Sequence, residues 1–208
     1  MLPTGICAGF VLAGGASSRM GQDKALMEVH GQPLALIVAQ QVKTAVGSVT
    51  VVGNRERHAA LGLPLVEDIH VGKGPLGGIH AALKASRSPL NLVVGCDMPF
   101  LNAAFLERLV TIAAVADAQV TVAESLEHGY ESLCAVYNRS ILAVVEECLA
   151  ADELKLGRVY EQLHVRKLSP EEWQPFNSQG VLFHNVNTPE DFERASKRLE
   201  SVARGGLA

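Results

Sequence analysis

The residues best suited to chemistry lie in one run, Leu12-Ala13-Gly14-Gly15-Ala16-Ser17-Ser18-Arg19-Met20-Gly21-Gln22-Asp23-Lys24. Adjacent glycines let a backbone come close to a ligand and leave consecutive N–H groups aimed at it, which is how loops cradle phosphate oxygens. Arg19 and Lys24 add fixed positive charge. The chemistry indicated is triphosphate binding, and the alternative for such a stretch is a flexible surface turn. The run is neither of the two commonest phosphate loops: it has no Gly-Lys-Ser/Thr, and Ala16 stands where the dinucleotide fingerprint needs glycine.

A carboxylate, Asp97, directly follows the apolar run Leu92-Val93-Val94-Gly95-Cys96. A hard cation such as Mg²⁺ bridging phosphate oxygens needs such a ligand, although a turn or helix-capping Asp would look the same. Asp68, after Leu65–Glu67, and Asn54, after Val49–Val52, are placed similarly and read equally well as loop residues. Gly72-Lys73-Gly74-Pro75-Leu76-Gly77 formally matches the dinucleotide fingerprint. The apolar run before it ends near Glu67, too early for a tight strand-to-helix turn, and Pro75 lacks the N–H that a pyrophosphate would need.

Other chemistries fit less well. The seven histidines and four cysteines are dispersed, with no His-Glu-x-x-His and no Cys-x-x-Cys, so any metal is expected to be oxygen-bound. A nucleophile elbow is absent because Arg19 stands where its last glycine would be, and no paired-carboxylate motif points to glycosidase chemistry.

These residues need a scaffold that brings strand ends together. Ile6–Leu12, Val49–Val52, Leu65–Glu67, Leu90–Cys96, Gln119–Ala123 and Cys134–Tyr137 read as strands, several apolar throughout, as strands buried on both faces are. Leu34–Val46, Leu76–Ser86, Ala103–Ala116 and Ile141–Ala150 carry apolar residues at helical spacing. A last helix starts with Thr188 as N-cap, Pro189 at the first helical position and Glu190 and Asp191 in the first turn. Alternating strands and helices predict a three-layer, doubly wound α/β fold with a mainly parallel sheet. One domain is expected over residues 1–202, with a frayed tail at 203–208. In such folds ligands sit beyond the carboxyl ends of the strands, where the strand order reverses. The loops there are Ala13–Lys24, Gly53–Arg57, Asp68–Gly78 and Asp97–Pro99, joined by a late loop at Asn185–Thr188.

The chain of 208 residues is 48% hydrophobic and 19% charged, which excludes disordered and coiled-coil classes. Its net charge of −4, with scattered Lys and Arg, provides no basic stripe for nucleic acid. The apolar start lacks any preceding Lys or Arg and no stretch has the ~20 residues of a membrane span, so it reads as a first strand. Cys7, Cys96, Cys134 and Cys148 read as reduced, buried thiols, and a cytoplasmic location is expected.

Four segments, in order and spanning nearly the chain, resemble the molybdenum cofactor guanylyltransferases: LAGGASSRMGQDKALMEVHGQPL, the GPLGGI of Gly74–Ile79, VVGCDMP around Asp97, and NVNTPED at Asn185–Asp191. The glycine loop, Lys24 and Asp97 are shared with the wider sugar-nucleotide and cytidylyltransferase superfamily. Gly14-Gly15, GPLGG and NVNTP are narrower. The resemblance implies a Rossmann-like nucleotidyltransferase fold and transfer of GMP from GTP to molybdopterin cofactor, with Mg²⁺ as cofactor. It also implies roles: Leu12, Ala13 and Gly14 line the GTP site; Gly15, Arg19 and Gly21 wrap the triphosphate; Lys24 contacts phosphate. Asn54, Asp68 and Gly78 serve nucleoside recognition, Asp97 holds metal and nucleotide, and Asn185 and Asn187 hold the pterin acceptor. Transient contact with molybdoenzymes or their chaperones is a further implication. Ser132 stands where the family usually has Pro, and Leu154-Lys155 followed by Arg158 where it often has paired Arg, so the acceptor half follows the pattern less closely than the GTP half. A relative using CTP or a sugar-phosphate acceptor, and a non-catalytic GTP-binding adaptor, are the competing readings.

Overall fold

The computed structural model describes residues 5–14, 23–125 and 129–205. Gly15, Arg19 and Gly21 therefore lie outside the described residues. The strands are β1 Cys7–Leu12, β2 Glu28–Val29, β3 Gln32–Pro33, β4 Thr50–Val52, β5 Leu65–Val66, β6 Leu90–Gly95, β7 Val120–Ser125, β8 Gly129–Asn138 and β9 Val165–Leu168. The helices are α1 Leu34–Val46, α2 Arg55–His58, α3 Gly74–Ala85, α4 Ala103–Val115, α5 Leu142–Ala150, α6 Leu156–Tyr160, α7 Pro170–Trp173 and α8 Pro189–Gly205.

Seven strands form one sheet in the order β5-β4-β1-β6-β8-β7-β9, with β8 antiparallel to β6 and β7 and the other pairings parallel. From β1 the chain steps outward to β4 and β5, then returns to place β6 on the other flank of β1. The strand order reverses there, so the ligand crevice of this architecture opens beyond the paired ends of β1 and β6, where Leu12 lies opposite Gly95.

Alternation along the central strands divides the core into two layers. Val11, Leu92 and Val94 face α1 and α4, packing with Val38, Val42, Phe105, Leu106 and Leu109. Phe10, Leu12 and Val93 face α3 and α5, packing with Leu76, Ile79, Leu83, Val145 and Leu149. Helices thus cover both faces of one mainly parallel sheet, as the sequence predicts. A smaller cluster of Val29, Leu34, Val186 and Ala195 ties α8 to the hairpin of β2 and β3. That hairpin turns through His30 and Gly31, both at positive φ, as two-residue turns require. All four cysteines are buried and unpaired. Burial pushes the Cys7 thiol up to about 12 and the Cys96 thiol higher still, which removes both as thiolate nucleophiles. No helix among the described residues is long and apolar enough to cross a membrane.

Several boundaries differ from the sequence reading for physical reasons. Gly74–Gly78 is not loop but the first turns of α3, because Pro75 presets helical φ where no N–H is needed. The segment Gly53–Arg57 contains the start of α2. β8 extends well beyond Cys134–Tyr137, pairing with β7 on both sides of a register shift between Val122 and Glu124. β9 was not expected, since four residues with two basic side chains carry little apolar signal. α8 runs past residue 202 to Gly205, since extending a formed helix through Ala203 and Arg204 costs little before the next glycine. Residues 206–208 of the expected tail lie outside the described residues.

Candidate active site

The crevice lies at the ends of β1 and β6, and the segments that follow β4, β5 and β6 and precede α8 carry the remaining described candidates. Ala13 continues β1 by donating its N–H to Val52 O at 2.8 Å, and Cys96 continues β6 by donating to Leu12 O at 3.1 Å. Gly14 is exposed, and a Cβ there would meet nothing within 4 Å among the described residues. Leu12 lies over Gly78 in α3, where a Cβ would stand 3.1 Å from Leu12 Cδ1. The end of β1 and the GPLGG segment therefore meet.

Asp68 follows β5 and turns its carboxylate onto the first turns of α3. Its Oδ1 accepts from the His70 N–H at 2.8 Å, and a Cβ on Gly77 would lie 3.1 Å from both Asp68 oxygens and 2.9 Å from His70 O. Only glycine at residue 77 leaves the carboxylate in this position. Asn54 is exposed and caps α2, its Oδ1 accepting from the Arg57 N–H at 3.0 Å. Its side-chain oxygen thus has a structural task in addition to any contact with a ligand.

Lys24 opens a single 3₁₀ turn, Lys24–Leu26, capped by the Asp23 carboxylate accepting from the Ala25 N–H at 3.1 Å. Its Nζ donates to Asn187 Oδ1 at 2.7 Å, joining two segments 163 residues apart. Asn187 itself precedes α8. Thr188 is the N-cap foreseen from the sequence, its Oγ1 accepting from the Asp191 N–H at 3.1 Å while Asp191 Oδ2 accepts from the Thr188 and Asn187 N–H groups at 2.9 and 3.1 Å. The capping task falls to Thr188 and Asp191, which leaves the Asn187 side chain turned to Lys24.

Asp97 sits just beyond β6, half-buried, and its backbone oxygen accepts from the Val186 N–H at 2.8 Å. Burial raises its carboxyl above the usual aspartate value, and the nearby Lys24 ammonium opposes that rise. Lys24, Asp97 and Asn187 are thereby brought together, with Asn185 in the same loop one residue from Val186. No group of three or more His, Cys, Asp or Glu side chains able to hold a metal assembles among the described residues. The hard carboxylate oxygens of Asp97 fit a cation such as Mg²⁺, and Asp97 would be the residue to hold it.

The residue missed from sequence is His58, which is buried and contacts Asp23. A signal was present, in the Gly53-Asn54 pair at a strand end followed by His four residues on.

The MobA-like NTP transferase domain model matches residues 9–167, from β1 through most of β9. The chain belongs to this family. A probable molybdenum cofactor guanylyltransferase of Pelotomaculum thermopropionicum is 36% identical, over 95% of this chain and 95% of that protein. One from Peptoclostridium acidaminophilum, also described as probable, is 32% identical over 94% and 91%. The crystal structure of molybdopterin-guanine dinucleotide biosynthesis protein A from Archaeoglobus fulgidus superposes with a TM-score of 0.82 at 26% identity, covering 93% of this chain and 99% of that one. Membership makes the chain a nucleotidyltransferase.

Proposed function

We propose that this nucleotidyltransferase transfers GMP from GTP to the terminal phosphate of molybdopterin cofactor, forming molybdopterin guanine dinucleotide and pyrophosphate. The observation that supports the reading is the 2.7 Å contact between Lys24 and Asn187 beside Asp97, since on this reading a lysine that would contact the donor's phosphates is the neighbour of a loop that would hold the acceptor. Leu12, Ala13 and Gly14 would line the GTP site, with Gly15, Arg19 and Gly21, outside the described residues, wrapping the triphosphate. Asn54, Asp68 and Gly78 would face the nucleoside, and Asn185 and Asn187 the pterin.

An oxygen of the acceptor's phosphate monoester attacks the α-phosphorus of GTP. The new P–O bond forms as the bond to the bridging oxygen breaks, and the electron pair leaves with pyrophosphate. A monoester is already anionic near neutral pH, so the chain needs no strong base; its task is to align two anions that repel each other. Lys24 and Arg19 would lower that repulsion, and loop amides would hold the phosphates in line. Asp97 would hold Mg²⁺, whose presence supplies further charge neutralisation between the phosphates. Molybdoenzymes or their chaperones would be transient partners for the product, and the reaction would take place in the cytoplasm.

Incubation with GTP, Mg²⁺ and molybdopterin cofactor should release pyrophosphate in step with the guanylylated product. Nucleotide binding without pyrophosphate release would favour the adaptor reading, and a product only with a sugar phosphate would move the acceptor class.

GTP should be preferred over CTP and ATP by at least about tenfold in kcat/KM. Asp68 can accept from guanine N1–H and its exocyclic amine, and an unmatched buried group penalises the wrong base by roughly 1–3 kcal/mol. Gly77→Ala should erode this preference, because its Cβ would displace the Asp68 carboxylate from a position 3.1 Å away. Competition among the four nucleotides checks both statements, and a CTP rate equal to that of GTP would place the chain with cytidylyl transfer.

The two asparagines should behave differently. Asn185→Ala should raise the acceptor KM and leave GTP binding nearly intact. Asn187→Ala should disturb both substrates, since it removes an acceptor of Lys24 Nζ. A fall in melting temperature with unchanged kinetic constants in both variants would return the loop to a purely structural role.

A further inference from the structure

His58 has no part in the chemistry above, yet it is 2% exposed and both ring nitrogens are engaged. Nδ1 accepts from the Asn54 N–H at 3.0 Å. A backbone amide only donates, so Nδ1 carries no proton and the neutral ring has its proton on Nε2. Nε2 lies 3.0 Å from Asp23 Oδ2 and donates to it. The other oxygen of Asp23 accepts from the Ala25 N–H at 3.1 Å, capping the turn that begins with Lys24. The recess is shaped to the ring: a Cβ on Gly53 would stand 2.3 Å from Nδ1. One imidazole therefore joins the end of the glycine loop to the start of α2, across 35 residues of sequence.

We infer that His58 is a positioning residue for nucleotidyl transfer: it clamps Asp23 and, through it, holds the Lys24 backbone so that the ammonium meets the transferring phosphates. The inference rests on the reading of Lys24 as a phosphate contact. A histidine that merely filled the space under α2 would need neither the Asp23 bond nor its direction. Asp23 Oδ2, half-buried beside the ring, loses its donor when the imidazole is removed, and a carboxylate with one arm released no longer fixes the turn.

Two substitutions separate the halves of the clamp. Gln places an amide nitrogen near the place of Nε2, so His58→Gln keeps the donor to Asp23; Asn places its amide near Nδ1, so His58→Asn leaves Asp23 Oδ2 without the imidazole donor. Melting temperature, kcat and both KM values would be measured for these variants, for Asp23→Asn, for Lys24→Ala and for the double variants with Lys24→Ala. His58→Asn should lower kcat about tenfold or more, and His58→Gln should recover it to within about threefold, at closely similar melting temperatures. Lys24→Ala should cost about a hundredfold in the wild-type background and no more than about tenfold beside His58→Asn, because part of what the ammonium contributes is already lost when it is misplaced. Asp23→Asn keeps the capping oxygen and weakens the clamp, so it should reproduce the His58→Asn kinetics and carries the cycle if His58→Asn does not fold. Equal rates for His58→Gln and His58→Asn, or losses that multiply independently with Lys24→Ala, would overturn the positioning role. Unchanged kinetics for Lys24→Ala alone would overturn the reading of Lys24 and the clamp's purpose with it.

Discussion

Asp97→Asn should abolish turnover while the chain stays folded and melts at or above the wild-type temperature. The amide has the shape of the carboxylate but lacks the charge that draws a hard cation, so the metal role ends. Stability should not fall, because the dominant influence on Asp97 is desolvation, which disfavours its ionised form in the folded chain. A neutral amide escapes that penalty, and the backbone bond from Val186 to the residue 97 carbonyl is untouched by the side chain. Loss of function with gained or unchanged stability is what distinguishes a group placed for chemistry from one placed for packing. The variant would be assayed by pyrophosphate release at saturating Mg²⁺ and by thermal melting. Activity above about a tenth of wild type, a loss smaller than ~1.4 kcal/mol in the barrier, would mean that Asp97 is not the metal ligand.

The parts of this site that can be read without coordinates are those set by neighbours in the chain. Gly14 and Asp97 stand out because each directly follows a buried apolar run, and strands of that kind end at the ligand side of a parallel sheet. Thr188 and Asp191 are legible for the same reason, since an N-cap and its reciprocal acid are three residues apart. The same local logic applies to Pro75 as to Pro189, yet the glycines around Pro75 carry a loop signal of their own, and α3 begins two residues before Leu76. Contacts across the chain are another matter. Nothing in the local pattern pairs Lys24 with Asn187 or His58 with Asp23, because each pairing depends on how β1, β4 and α8 are laid side by side. The hairpin of β2 and β3 escaped notice since His30 takes positive φ, a conformation for which glycine is the usual marker. Tertiary packing, through Val29 against Val186 and Ala195, is what makes that hairpin the support for α8 and so for the loop that precedes it.

Lys24→Ala should slow transfer by about a hundredfold or more, the scale expected when one preorganised charge is removed from a phosphoryl centre. Three features of the structure raise this lysine above an ordinary surface residue. Its backbone is fixed at the first position of a capped turn, its Nζ is drawn to Asn187 Oδ1 at 2.7 Å, and its charge opposes the effect of burial on Asp97. Removing the ammonium takes away attraction for the donor's phosphates and leaves Asn187 Oδ1 without this donor. It also leaves Asp97 with less support for its ionised, metal-binding form. The loss should therefore appear in kcat and in the KM of both substrates, unlike Asn185→Ala, which touches the acceptor alone. Lys24→Arg should recover only part of the rate, because a planar guanidinium on a longer stem keeps the charge but cannot place it at the point where Nζ meets both Asn187 and the phosphates. Steady-state kinetics with GTP and acceptor varied in turn would test this. A Lys24→Ala enzyme with wild-type constants would return Lys24 to the solvated surface and leave Arg19 and the loop amides to hold the triphosphate.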